Sequence, residues 1–428
     1  DGQPEVIVEG GILDGATGAI KATFSQAMIG TFAVSDVDAD GKLDIVSGSQ
    51  VYGPDGVLRF STGATGYAYP DARILTGGPA IADLDHDGIP EVIAVYFATH
   101  QMAVWHYDPT KAEKFSFVRT GIDINGPFSE SACPGGSHGN KNGGGPATVG
   151  DFNADGTPDV ALAGGVGYAV LDGQKLMDAS VAPADTFLFV KPTQDCSSAG
   201  TGSSLFDFDG DGKVEVVYGD ERKLRIYEGA TGTVLWETCN TTGTLSEYPV
   251  IADVDNDGEA DIVAVSNAFG AAHGQAYFCD GTMTAGVRVF SSKAGTWVRT
   301  RRTWNEHAYH VTNVNEDGSI PAVEPTNWKD PLLNNFRQNK QPGQEFSAPD
   351  VVISLLSPAC DEGAYGLVAT VRNIGESVLP PGVPVGFYLG SVAPSNLLGT
   401  GTTTLPLYPA QAERRRETDR GRWRSELA

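Results

Sequence analysis

The sequence predicts an all-β protein: about seven blades of a β-propeller followed by a partial immunoglobulin-like β-sandwich. Three observations predict it. A nine-residue acidic motif recurs five times, every copy is flanked by short apolar runs, and turn formers punctuate the chain throughout. Among 428 residues there are 54 Gly and 25 Pro, as in a chain of short strands and frequent reversals.

The acidic motif comes first in the argument. Its copies are Asp36, Asp38, Asp40, Gly41, Asp44; Asp83, Asp85, Asp87, Gly88, Glu91; Asp151, Asn153, Asp155, Gly156, Asp159; Asp207, Asp209, Asp211, Gly212, Glu215; and Asp253, Asp255, Asp257, Gly258, Asp261. All hold one frame, with acids or Asn at positions one, three, five and nine and Gly at six. Two weaker copies bracket them. Asp1-Gly2-Gln3-Pro4-Glu5 matches positions five to nine, so the sequence is read as beginning inside a repeat. Asn313-Val-Asn315-Glu-Asp317-Gly318 keeps the frame with amides for two carboxylates, and is read as a decayed seventh copy.

The flanks supply the strands. Thr31–Ser35 and Tyr248–Ala252 precede acidic loops, while Val92–Val95 and Ile262–Val265 follow them. Hairpins with Gly turns come next, at Leu13–Gly18, Leu224–Trp236 and Val287–Val298. Strand, acidic loop, strand and hairpin give about four strands per ~50 residues, the content of one propeller blade. These residues resemble the FG-GAP or VCBS repeat family, whose members form integrin-α-like propellers in bacterial surface proteins. The resemblance covers residues 1–321 and implies six to eight blades. Counting the partial and decayed copies gives seven.

The spacing itself points to calcium. Calcium takes six to eight oxygen ligands, and side chains at positions one, three and five converge if the backbone turns sharply at six, where Gly accepts positive φ. Position seven would add a carbonyl oxygen (Lys42, Ile89, Thr157, Lys213, Glu259), and the position-nine carboxylate would close the cage. An EF-hand needs a Glu at position twelve; here that position holds Ser47, Ala94, Leu162, Tyr218 and Ala264. A solvated turn needs one Asp and a Gly rather than four acids. Carboxylates ~4 Å apart repel by about 4 kcal/mol per pair at an effective dielectric near 20. About five structural Ca2+ sites are therefore expected, with the Asn313 copy outside the set.

Charge and cysteines bound the setting. With 54 acidic against 29 basic residues the net charge is −25, which argues against nucleic-acid or anionic-membrane partners. No apolar run reaches the ~18–20 residues of a membrane span. Cys133, Cys196, Cys239, Cys279 and Cys360 form no Cys-x-x-Cys pair, so zinc and thioredoxin-like sites lack support. Four cysteines allow three pairings; Cys133–Cys196 and Cys239–Cys279 are the pairs expected in an exported protein, against a cytosolic alternative with free buried thiols.

Three other segments stand apart. The glycine-rich stretch Gly121–Gly145 is read either as a recognition loop or as a disordered insertion. Arg301–His310 is dense in functional side chains; His307 and His310, three apart on an expected strand, point to opposite faces, so a hydrogen-bonded junction is expected there rather than a metal site. Residues 322–347 are read as a linker or closing segment. Residues 348–410 alternate apolar residues with Asn and Gly turns and resemble part of a CARDB domain, an immunoglobulin-like bacterial adhesion module. Residues 411–428, with six Arg, are read as a disordered tail, out of frame or truncated.

The functional expectation is a calcium-stabilised binding or adhesion scaffold, secreted or on a bacterial surface, recognising a carbohydrate or protein ligand. The alternative is a propeller-based polysaccharide lyase or glycoside hydrolase with paired carboxylates at the axis. The sequence holds no His-Glu-x-x-His or Walker motif, and no catalytic residue is nominated.

Overall fold

The computed structural model describes residues 3–26, 31–62, 78–96, 99–128, 143–244, 247–255, 257–269, 278–293, 295–341, 350–361, 364–374, 379–407 and 412–416. Six antiparallel meanders follow one another. The first comprises β1 (Glu5–Val8), β2 (Gly11–Asp14) and β3 (Ile20–Thr23). Four-stranded sheets follow: β4 (Phe32–Ser35), β5 (Asp44–Ser47), β6 (Gln50–Tyr52) and β7 (Leu58–Ser61); then β8 (Ala80–Ala82), β9 (Glu91–Tyr96), β10 (Gln101–Tyr107) and β11 (Phe115–Asp123). The next are β12 (Thr148–Gly150), β13 (Asp159–Ala163), β14 (Gly167–Leu171) and β15 (Phe187–Pro192), and β16 (Ser203–Phe206), β17 (Glu215–Gly219), β18 (Lys223–Glu228) and β19 (Val234–Cys239). The sixth sheet has β20 (Val250–Ala252), β21 (Asp261–Ser266) and β22 (Gly286–Phe290). Each acidic copy joins the first and second strands of its sheet, with one register: Ser35 faces Asp44, Ala82 faces Glu91, Gly150 faces Asp159, Phe206 faces Glu215 and Ala252 faces Asp261.

Period-two alternation builds the core between sheets. Along β13, Val160 and Leu162 pack toward the preceding sheet, while Ala161 and Ala163 pack with Leu205, Val216 and Tyr218 of the following one. On β17, Val216 and Tyr218 face backward and Val217 joins Ile251 and Ile262 ahead. Central strands are thus buried on both faces, which is why they read as apolar runs rather than half-polar alternation.

First strands adjoin in succession, β4 beside β8, β8 beside β12, β12 beside β16 and β16 beside β20. The seam they form is filled by the chain itself. Asn334 bonds both ways with Asp83, Phe336 exchanges two backbone bonds with Val149, Leu205 donates to Arg337 O, and Asn339 Nδ2 reaches Ile251 O at 2.7 Å. Residues 334–340 therefore stitch four sheets together, within the stretch read from the sequence as a linker or closing segment.

The structure departs from the sequence reading in three places. Among the described residues there are six meander sheets; the Asn313 copy makes a turn, with Gly318 N–H on Asn315 O, preceded by the 3-10 turn Val311–Asn313. The hairpin expected over Val287–Val298 contributes only β22. Val298 instead slips beneath the acidic loops, donating to Phe208 O and accepting from Ala260 N, because its side chain is buried against Phe208 there. Finally, Ala412–Arg416, assigned to a disordered tail, is a strand.

That strand belongs to a smaller C-terminal unit. β23 (Val351–Asp361) and β24 (Ala364–Asn373) form a long hairpin, β25 (Pro384–Tyr388) and β26 (Leu397–Thr402) a short one, and β27 (Ala412–Arg416) pairs with β24. The Glu413 carboxylate holds β27 by accepting from Thr404 N and Oγ1. Ala369, Val371, Leu379, Val385, Phe387 and Leu407 form the core. Residues 417–428 and most of Gly121–Gly145 lie outside the described residues.

Candidate metal centres in the acidic loops

One hydrogen-bond scheme recurs in the loops. The Gly N–H at position six donates to the position-one carboxylate: Gly41 to Asp36 (3.0 Å), Gly88 to Asp83 (2.9 Å), Gly156 to Asp151 (2.8 Å) and Gly212 to Asp207 (2.9 Å). The N–H at position five donates to position three, onto Asp38, Asp85, Asn153, Asp209 and Asp255. The N–H at position seven donates to position five: Lys42 to Asp40, Ile89 to Asp87, Thr157 to Asp155, Lys213 to Asp211 and Glu259 to Asp257. Position nine closes the base by accepting from the N–H at position two: Asp44 from Val37, Glu91 from Leu84, Asp159 from Phe152, Glu215 from Phe208 and Asp261 from Val254.

Backbone conformation makes the scheme possible. The five glycines at position six have φ between +86° and +89°, which a side chain disfavours. Position four is left-handed too, at Ala39, His86, Ala154 and Gly210. Sequence reasoning missed this second reversal; the Gly and Asn found at position four in two copies were the available signal.

Carboxylate oxygens lie within 4.8 Å of one another in four loops: Asp36, Asp38 and Asp40; Asp83, Asp85 and Glu91; Asp207, Asp209 and Asp211; Asp253, Asp255 and Asp261. Position five thus joins the group in two loops and position nine in the other two. In the Asn153 loop an amide replaces the central acid, and Asp151, Asp155 and Asp159 are linked through backbone donors.

Burial is uneven along the loop. Position five faces solvent and position three is exposed or half-buried, whereas Asp36, Asp44, Asp83, Glu91, Asp159, Asp253 and Asp261 are buried. Desolvation, reinforced by neighbouring carboxylates, raises Asp44, Glu91 and Asp159 to about 7 and Glu215 to about 8. Among the described residues Asp36 Oδ1 is buried without a hydrogen-bond partner, and Lys329 Nζ lies 3.8 Å from Oδ2 of the same carboxylate. An orphaned buried oxygen among converging hard donors fits a hard divalent cation such as calcium. Lys42 and Lys213 fold back on Asp40 and Asp211, but such exposed pairs contribute little.

The fifth loop also touches the C-terminal unit. Arg372 of β24 pairs with Glu259, and Ile374 packs over Gly258. Burial raises Glu259 to about 7, opposed by the Arg372 charge.

The remaining sequence candidates resolve differently. Arg301 is buried and donates to Tyr309 Oη, Val311 O and Val314 O. His310 bonds Glu324, and Trp304 stacks on Tyr309 at 4.2 Å. This is a hydrogen-bonded junction. Arg337, which sequence reasoning did not single out, lies fully buried in the central seam, donating to His307 O, Pro79 O and Ala147 O. Cys239 and Cys279 form a disulfide; Cys133 lies outside the described residues, and with it the expected Cys133–Cys196 pair.

Antiparallel meanders, five of them joined side by side at their first strands with an acidic loop after that strand, define an all-β repeat protein of propeller-like construction. Residues 36–94 and 207–264 match the FG-GAP-like repeat. No curated protein sequence matches the chain. Among solved structures, the biofilm matrix protein Bap1 of V. cholerae is similar at 17% identity, over 79% of this chain and 74% of that one, with a TM-score of 0.57. A rhamnogalacturonan lyase of Bacillus licheniformis matches at 16% identity over 65% of this chain and 50% of its own, with a TM-score of 0.39. The likeness to Bap1 is one of fold. Among the described residues, no helix is long and apolar enough to cross a membrane.

Proposed function

We propose that the chain is a calcium-stabilised extracellular binding scaffold of bacterial origin, with about seven propeller positions and a CARDB-like immunoglobulin-like unit behind them, recognising a carbohydrate or protein ligand. The observation that carries this reading is the filled central seam. Residues 334–340 occupy the line where first strands meet, so that axis is used for cohesion rather than for gathering catalytic side chains. The orphaned Asp36 oxygen and the repeated loop scheme support calcium in a structural role. The Cys239–Cys279 disulfide and the fold likeness to a biofilm matrix protein support an oxidising, extracellular setting.

A glycan array in millimolar calcium, run beside lyase and reducing-sugar assays on the same polysaccharides, tests the reading. Binding without turnover is the expected result. Release of unsaturated or reducing ends would replace it with the enzymatic alternative.

A further inference from the structure

The acidic loops are not electrostatically alike. In the first, Asp36, Asp38 and Asp40 bring their oxygens within 4.8 Å of one another, and two of the three already face an ammonium group. Lys42 Nζ lies 3.3 Å from Asp40 Oδ2, a contact within the repeat. Lys329 Nζ lies 3.8 Å from Asp36 Oδ2 and comes from far along the chain. In the second loop the gathered acids are Asp83, Asp85 and Glu91. Among the described residues no lysine or arginine pairs with these; the basic group beside them is His106, 3.5 Å from Glu91 Oε1. Lys329 is exposed, but its neighbours hold it in place. It ends the 3-10 turn Asn327–Lys329, with its own N–H on Thr326 O at 3.3 Å and the Asp330 N–H on Asn327 O at 3.1 Å. Asn327 Nδ2 ties the turn to Asn335 O at 3.0 Å. Trp328 is buried in the same core cluster as Val37, position two of the first loop. The Lys329 ammonium stands over the Trp328 ring, 4.7 Å from its centroid, so indole and carboxylate flank it.

We infer that Lys329 is a tethered competitor for the divalent cation of the first acidic loop, lowering the affinity of that loop and leaving Asp36 as the ion enters. The inference rests on the calcium reading of the loops. An exposed ion pair contributes little to folding. Its effect on an incoming ion is a separate matter, because the ion must enter the field of the ammonium. A calcium held by the Asp36 carboxylate would stand less than ~9 Å from Lys329 Nζ. At that range a unit charge, partly screened at physiological salt, lowers the affinity for a divalent cation about two- to fivefold. The buried Asp36 Oδ1, which has no hydrogen-bond partner among the described residues, is left for the metal, while Oδ2 takes Gly41 N–H and faces the ammonium. Two cations thus bear on one carboxylate from different sides, and the lysine, on a long solvated stem, is the one free to move.

The test follows amide hydrogen exchange in the full chain by mass spectrometry while free calcium is raised. Slowing of exchange over residues 36–44 and over residues 83–91 gives a separate midpoint for the first and second loops. In Lys329→Met, which keeps an apolar stem over Trp328, the first-loop midpoint should fall two- to fivefold while the second-loop midpoint stays put. The gain should fade in ~0.5 M KCl, where charges at this range are screened. Lys329→Arg, which keeps the charge, should match the wild type. The inference is overturned if Lys329→Met leaves the first-loop midpoint unchanged or raises it, if both loops gain alike, or if the gain persists in high salt. Exchange that ignores calcium up to ~10 mM in both loops, well above the ~10⁻³ M range of extracellular sites, would instead overturn the calcium reading and this inference with it.

Discussion

In a chelator, stability should fall as pH rises, and added calcium should abolish that dependence. Glu91 and Asp159 are the most deeply placed of the position-nine carboxyls; burial raises each to about 7 from ordinary values of 4.5 and 3.8. An acid whose folded pKa is raised stabilises the fold while it is protonated. Its contribution is complete below about pH 4 and is lost as pH climbs through about 7, because the unfolded chain ionises freely and the folded one resists. At 1.36 kcal/mol per unit, the two together represent on the order of 8 kcal/mol, comparable with the whole stability of an ordinary domain. A bound divalent cation inverts the sign by favouring the ionised form. The assay is thermal unfolding by circular dichroism at pH 5, 6, 7 and 8, in EDTA and in 2–5 mM calcium (a range of order the ~10⁻³ M dissociation constants of extracellular sites). In EDTA the midpoint should fall steeply with pH; in calcium it should stay nearly level. Equal midpoints with and without calcium at pH 8 would refute both the metal and the electrostatic reasoning.

Three further outcomes follow from named contacts. Gly156→Ala meets no atom within 4 Å but must adopt φ +89°, so a loss of about 1–2 kcal/mol is expected in urea unfolding, with weaker calcium binding by titration calorimetry. Arg337→Met keeps the volume but leaves His307, Pro79 and Ala147 carbonyls without their donor; a lower urea midpoint equivalent to about 2–4 kcal/mol is expected, and an unchanged midpoint would deny the seam its cohesive role. Replacing Cys239 and Cys279 with Ser opens a 40-residue loop, which should reduce stability by about 4 kcal/mol in the chain-entropy model, measured by the same denaturation.

The acidic loops were legible because their chemistry is local. A carboxylate at position one meets a glycine N–H five residues later, so the frame Asp36 to Asp44 carries its own geometry in every copy. Alternation along β13 and β17 was legible for the same reason, since the strand period of two acts within a few residues. The hairpin at Val287 failed because burial of Val298 against Phe208, a contact across some ninety positions, outweighed a local turn signal. The strand at Ala412–Arg416 looked like a charged tail until Thr404 and β24 supplied partners.

What the sequence by itself determined, then, was the repeating unit: its strands, its loop, and the acids that loop gathers. Only the tertiary structure decided that residues 334–340 run through the seam, that Arg337 lies buried among carbonyls from three separate segments, and that Arg372 meets Glu259. Hydrogen bonds within nine residues are written in spacing. Contacts between distant segments depend on which surfaces the assembled sheets leave unfilled, and no local pattern encodes that.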